Sequence, residues 1–123
     1  MTAPTLPETL ARLAQLLPDR VLLVATTHVI VRVYGRPAPL LFSEAHNLDA
    51  LEFALREECA ARGWPAQLTL NPPGMGRPHG AVIWSGGWHS GGMPSGPLHF
   101  GKSDTPAHAL ALALVSALGG EGT

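Results

Sequence analysis

Charge is scarce in this chain. Asp, Glu, Lys and Arg make up 14% of its 123 residues, against about a quarter in an ordinary soluble domain. The formal net charge is −1, and Lys102 is the single lysine beside seven scattered arginines. No basic cluster stands out, which argues against a phosphate-binding face of the kind that holds duplex nucleic acid. With so few charges, much of the surface must be Gly, Pro, Ser, Thr, His or apolar atoms. That composition favours self-association or a protein partner.

Cysteine is nearly missing as well. Cys59 is the only one, so no disulfide can form within the chain. It falls on the apolar stripe of a predicted helix, where a buried structural thiol is expected rather than a nucleophile. No apolar run reaches the roughly 18 to 20 residues that cross a bilayer. Met1 to Pro18 has no basic start and contains Glu8 and Arg12, so no signal peptide is expected and the reading is a cytosolic protein. There is no Gly-x-Ser-x-Gly elbow and no P-loop. Gly74-Met75-Gly76 opens like a dinucleotide fingerprint, but position 79 is His79 where the third glycine should be, and no helix follows. No cofactor or resident metal is expected, and no catalytic residue is assigned.

What is present suits one domain over residues 1–123. Apolar residues are 46% of the chain, enough for a single core. Thr5-Leu6-Pro7-Glu8 reads as a capped helix start, with Leu6, Leu10, Leu13 and Leu17 at helical spacing and a stop at Pro18-Asp19. Val21 to Tyr34 is β-rich, and from His28 onward it alternates, with Val29, Val31 and Val33 toward a core. Gly35-Arg36-Pro37 reads as a turn into a short return strand at Leu40-Leu41-Phe42. Asn47 caps a second helix with Leu48, Leu51, Leu55 and Cys59 on one stripe and Gly63 as its stop. Ala66 to Leu70, Ala81 to Trp84 and Leu98 to Phe100 read as strands. Thr105 or Asp104 caps a last helix with Pro106 in its first turn. Ala107 to Leu118 is so uniformly apolar that it should be covered on more than one side. The predicted fold is α+β, a two-layer sandwich of order α-β-β-(β)-α-β-β-β-α, with a mostly antiparallel sheet and helices on one face.

Asn71 to Pro97 holds eight glycines and five prolines, a costly composition to order. His79, His89 and His99 fall in or beside it, with Trp84 and Trp88 between them. Imidazoles can hold a metal or move protons, so a metal- or His-dependent hydrolase centred on these histidines is one reading. The ligand spacing matches no recurrent zinc pattern, and Asn71 to Lys102 contains no carboxylate. Trp84 ends a β-run and is expected in the core. Trp88, in a glycine-rich stretch, is the better candidate for an exposed contact. Stacking on Trp88 would make weak single-stranded nucleic-acid binding a further reading. His28, Arg32 and Tyr34 share one face of a strand and form a small polar-aromatic surface.

Gly101-Lys102-Ser103-Asp104-Thr105-Pro106-Ala107-His108-Ala109-Leu110 is similar to the strand, Gly turn and Thr-Pro-capped helix that end phage ABA-sandwich proteins and HicB-like antitoxins. The resemblance covers about the C-terminal third, Gly80 to Leu118, and departs from the family pattern at His108, where Glu is common. It implies a small α+β fold more than an activity. The expectation is a non-enzymatic binding or accessory module of phage or mobile-element type, acting through protein–protein contacts, as a homodimer or on another protein, with no membrane partner.

Overall fold

The structure is a computed structural model. It describes residues 5–23, 28–33, 36–41, 48–71, 78–87, 92–94 and 96–119, without the side chains at 23, 28–29, 33, 38–41 and 48–49. The order is α1 (Leu6–Leu16), β1 (Val21–Leu23), β2 (His28–Val33), β3 (Arg36–Leu41), α2 (Leu48–Arg62), β4 (Ala66–Thr69), β5 (His79–Trp84), β6 (Leu98–Ser103) and α3 (Pro106–Ala117). The α+β class and the element order follow the expectation. The strands form two three-stranded antiparallel sheets, β1-β2-β3 and β4-β5-β6, where a single sheet was anticipated. The helices join them: α1 and α2 contact the first sheet, α3 lies on the second, and both α1 and α2 touch α3.

Local sequence explains each helix. Thr5 and Glu8 form a reciprocal capping box at α1, with the Thr5 N–H donating to the Glu8 carboxylate at 2.9 Å. Leu10, Leu13 and Leu17 are buried along one face. In α2, Leu51, Leu55 and Cys59 are buried, and Gly63 takes the left-handed conformation (φ 71°) that stops the helix. The Thr105 hydroxyl accepts from the His108 N–H at 3.3 Å, and Pro106 fills the first turn of α3. Residues 107–111, 113 and 114 of α3 are all buried, as its uniform apolarity required. This helix is the hub of the core. Leu110, Leu114, Ile83, Leu10 and Leu51 are fully inaccessible, and burying each such side chain contributes about 1.5–3 kcal/mol.

Gly101 brings α3 unusually close to the sheet. A Cβ there would meet the Ala109 carbonyl oxygen at 2.0 Å and the Ala113 nitrogen at 2.7 Å. Only glycine on β6, facing alanines on α3, allows the two backbones to approach this far.

The ladders also fix which way the backbone groups of each outer strand point. The Arg32 N–H donates to the Arg20 carbonyl at 2.9 Å. In an antiparallel ladder alternate residues point their backbone groups to alternate sides. Arg36, Ala38 and Leu40 of β3 therefore face β2, and Pro37 and Pro39 face away from it. The expected turn at Gly35-Arg36-Pro37 is accordingly shorter, since Arg36 and Pro37 already belong to β3. Its prolines cost no ladder bond and leave its outer edge short of donors. The second sheet differs. Trp84 N–H donates to the Pro65 carbonyl at 2.9 Å, and Ser85 N–H to the Pro97 carbonyl at 3.2 Å. That phase turns the backbone groups of Ala66 and Leu68 outward on β4, and those of Leu98, Phe100 and Lys102 outward on β6. No proline blunts either of these strands.

Candidate functional site

Strand alternation gives the β4-β5-β6 sheet two unlike faces. Ala81, Ile83, His99, Gly101 and Ser103 lie on the face covered by α3, where Ala81 and Ile83 are buried. The other face carries Val82 opposite Phe100 and Trp84 opposite Leu98. These four form one contiguous apolar surface in which Phe100 is 60% and Leu98 47% exposed. Strand β6 thus turns its large apolar residues away from the core and its Gly, Ser and His toward it. A strand with one face in water usually shows the reverse. Trp84, expected in the core, sits on this outer face and is half-buried.

The inward polar residues of β6 are each satisfied. His99 Nε2 and Ser85 Oγ are 2.9 Å apart, and His99 Nδ1 and Ser116 Oγ 3.4 Å. Ser103 Oγ lies 2.9 Å from His108 Nδ1, whose Nε2 lies 2.9 Å from Thr9 Oγ. The Thr9 hydroxyl donates to the Thr5 carbonyl at 2.9 Å, so it must accept from His108 Nε2–H. Ser103 O–H then donates to Nδ1. This chain of bonds ties α1, α3 and β6 together around a neutral imidazole. Burial holds the His108 pKa below its usual value, with Asp104 opposing that shift.

The remaining sequence candidates are dispersed. His79 starts β5, and its Nδ1 accepts from the Asn71 N–H at 3.0 Å. His99 pairs across the ladder with Ile83, four residues from His79, which separates the two by roughly 13 Å along the strand at about 3.3 Å per residue. The structure does not bring them together, and among the described residues no group of three or more His, Cys, Asp or Glu could hold a metal ion. Trp88, His89 and Tyr34 lie outside the described residues. His28 is placed by its backbone pairing with Leu41. Arg32 is exposed, and its carbonyl accepts from Arg20 Nη1 at 3.2 Å.

Two clefts flank α2. The first, about 490 Å³, is lined by Arg20, Arg32, Arg62, Asp19, Glu57 and Glu58 among others. Arg20 bonds Glu57 and, at 3.0 Å, Glu58; Arg62 bonds Glu58 at 2.7 Å. Its charges balance, and it acts as a clamp between the β1-β2 ribbon and α2 rather than as a receptor for an ion. The second, about 630 Å³, is mostly apolar and runs between α2 and β4. Cys59 sits beneath it, buried, with its thiol pushed up to about 11 chiefly by burial and then by Glu58. That thiol is not a nucleophile at neutral pH.

Comparison with protein-family models, curated proteins and solved structures gives no match for this chain. Among the described residues, no helix is long and apolar enough to cross a membrane.

Proposed function

We propose that this chain is a small binding module that works through protein–protein contacts and forms a homodimer along the β6 edge of its β4-β5-β6 sheet. The carrying observation is the reversal of β6, which places Leu98 and Phe100 beside Val82 and Trp84 on the face α3 leaves uncovered. The backbone groups of Leu98 and Phe100, with those of Lys102, point out along an unblunted edge. An edge of this kind pairs with a copy of itself. A two-fold axis at Phe100 sets Leu98 of one copy against Lys102 of the other, and the apolar faces become continuous across the junction. The one charge in these pairs is Lys102, and with a formal net charge of −1 two copies repel each other little. The phage-type resemblance supports the accessory role, since its Gly turn and Thr-Pro cap are the elements that seat α3 on the inner face and leave the outer one open.

Amide hydrogen exchange tests the edge. The Leu98, Phe100 and Lys102 amides should slow as protein concentration rises, with the His99 and Gly101 amides, already in the ladder, unchanged. Equal, concentration-independent exchange at Leu98 and Phe100 would remove the proposal.

A further inference from the structure

Two glycines lie in the strands of the β4-β5-β6 sheet, and the fold accounts for one of them. Gly101 is required by α3, because a Cβ there would strike the Ala109 carbonyl oxygen. Gly80 has no such neighbour. Its backbone stays out of the left-handed region, both ladders run through it in unbroken register, and an added Cβ would meet only the Thr69 Cβ, at 3.9 Å. A glycine inside a strand weakens it, and is found chiefly at a bulge or bend, or where a ligand or another backbone comes close. Among the described residues no bulge and no second backbone stands at Gly80.

The missing side chain leaves a hollow of about 400 Å³ on the outer face of the sheet, lined entirely by described residues. Gly80 is its floor. Thr69 and Lys102 pair with Gly80 from either side, which sets their Cα atoms about 10 Å apart across that floor. Val82 and Phe100, one same-face row along at about 6.6 Å, make an apolar end wall. At the other end the Asn71 Nδ2 donates to the Pro78 carbonyl at 2.6 Å. These spacings admit a single aromatic ring lying on bare backbone.

Charge sets how such a ring is carried. No carboxylate lines the hollow. Lys102, exposed at its edge, pairs with no carboxylate among the described residues, whereas Arg20, Arg56 and Arg62 are each held by a glutamate. An unpaired ammonium beside an apolar wall suits an anion attached to an apolar ring. Across the floor the exposed Thr69 hydroxyl can both donate and accept.

We infer that the hollow over Gly80 binds a small aromatic carboxylate. The ring lies on the Gly80 backbone against Phe100 and Val82, the carboxylate pairs with the Lys102 ammonium, and a hydroxyl on the far side of the ring reaches Thr69. The site is complete within one copy of the chain. Pairing along the β6 edge leaves the outer face uncovered, so the site and the dimer do not depend on each other.

Titration of the full chain with para-hydroxybenzoate, followed by NMR, tests this. Shifts should centre on Thr69, Gly80 and Lys102 and saturate at one ligand per chain, with a Kd of about 1 mM or tighter, as suits an open hollow. Para-hydroxybenzamide has the same shape without the charge and should bind about tenfold more weakly. Acetate, the charge without the ring, should leave these shifts unmoved. Gly80→Val fills the hollow where an added Cβ has room, and valine suits a strand. It should keep or raise the melting temperature and abolish binding. Lys102→Gln should bring para-hydroxybenzoate down to the level of the amide, while Lys102→Arg, which keeps a cation there, should bind like the wild type. The inference is overturned if para-hydroxybenzoate gives no saturable shifts, if the amide binds as well as the acid, or if binding survives in Gly80→Val. Binding that appears only at concentrations where the chain dimerises also overturns it, since the site would then need a second copy. A strictly monomeric chain that binds the ligand as described upholds it and counts against the dimer alone.

Discussion

The ring of His108 and the hydroxyl of Thr9 meet at 2.9 Å, and this buried contact fastens α3 to α1. The Thr9 hydroxyl is already donating to the Thr5 carbonyl, so it can only accept from the ring. Protonating His108 would put a second N–H on Nδ1, against a Ser103 hydroxyl now donating to it, and would place a charge in a poorly solvated site.

Stability should therefore fall in mild acid. The His108 pKa is held below its ordinary value of 6.5, chiefly by burial. Below pH 6.5 the unfolded chain takes up the proton and the folded chain resists it. The stabilisation is complete above the unfolded value and is lost as pH falls through the lower, folded one. Thermal unfolding of wild type and His108→Gln between pH 7.5 and 5 should show a steeper decline in the wild type. Parallel curves would mean that His108 is not the group responsible.

The contact of Gly101 with α3 predicts a large effect from a single methyl group. Gly101→Ala forces a Cβ to within 2.0 Å of the Ala109 carbonyl oxygen, and overpacking of this kind costs about 3 kcal/mol. Gly63→Ala is the control: nothing lies within 4 Å of its added Cβ, and its cost of about 1 kcal/mol comes from the left-handed backbone at φ +71°. Urea titrations compare the two. A Gly101→Ala protein no less stable than Gly63→Ala would show that the helix can withdraw from the sheet.

Cys59 should be inert while the chain is folded. It is 2% exposed, with its thiol pushed up to about 11. At pH 8 an aromatic disulfide reagent should label it only in denaturant, because both access and thiolate are lacking in the native state. Rapid labelling of folded protein would place the thiol at the surface and change the description of the α2–β4 groove floor.

How much of this was legible in the sequence depended on whether local chemistry or tertiary contact decided it. Thr5, Glu8, Gly63, Thr105 and Pro106 mark helix ends through their own backbone preferences, and they read correctly. The cover around α3 was legible because Ala and Leu on every side demand it. The facing of β6 was not. Leu98-His99-Phe100 by hydropathy points His99 to water, yet His99 turns inward and finds Ser85 and Ser116, residues 14 and 17 positions away. Trp84 turns outward for the same reason, since its strand neighbour Ile83 holds the core face. One signal was available: Gly101 and Ser103 are the residues that a close helix tolerates, and they share the parity of His99. The Arg20 clamp on Glu57 and Glu58 had no local trace beyond the i,i+4 pair of Glu58 and Arg62. The outward backbone groups of β4 and β6 follow only from the ladder phase.

The central claim is that the β6 edge, with Phe100 at its centre, joins two copies of this chain, and sedimentation equilibrium tests it most directly. Wild-type protein should move from monomer to dimer mass as concentration rises through the micromolar range, an affinity of about 8 kcal/mol. Phe100→Asp, at a side chain 60% exposed, should keep its fold and remain monomeric at every concentration. A strictly monomeric wild type, or a Phe100→Asp variant that dimerises as strongly as the wild type, would contradict the account.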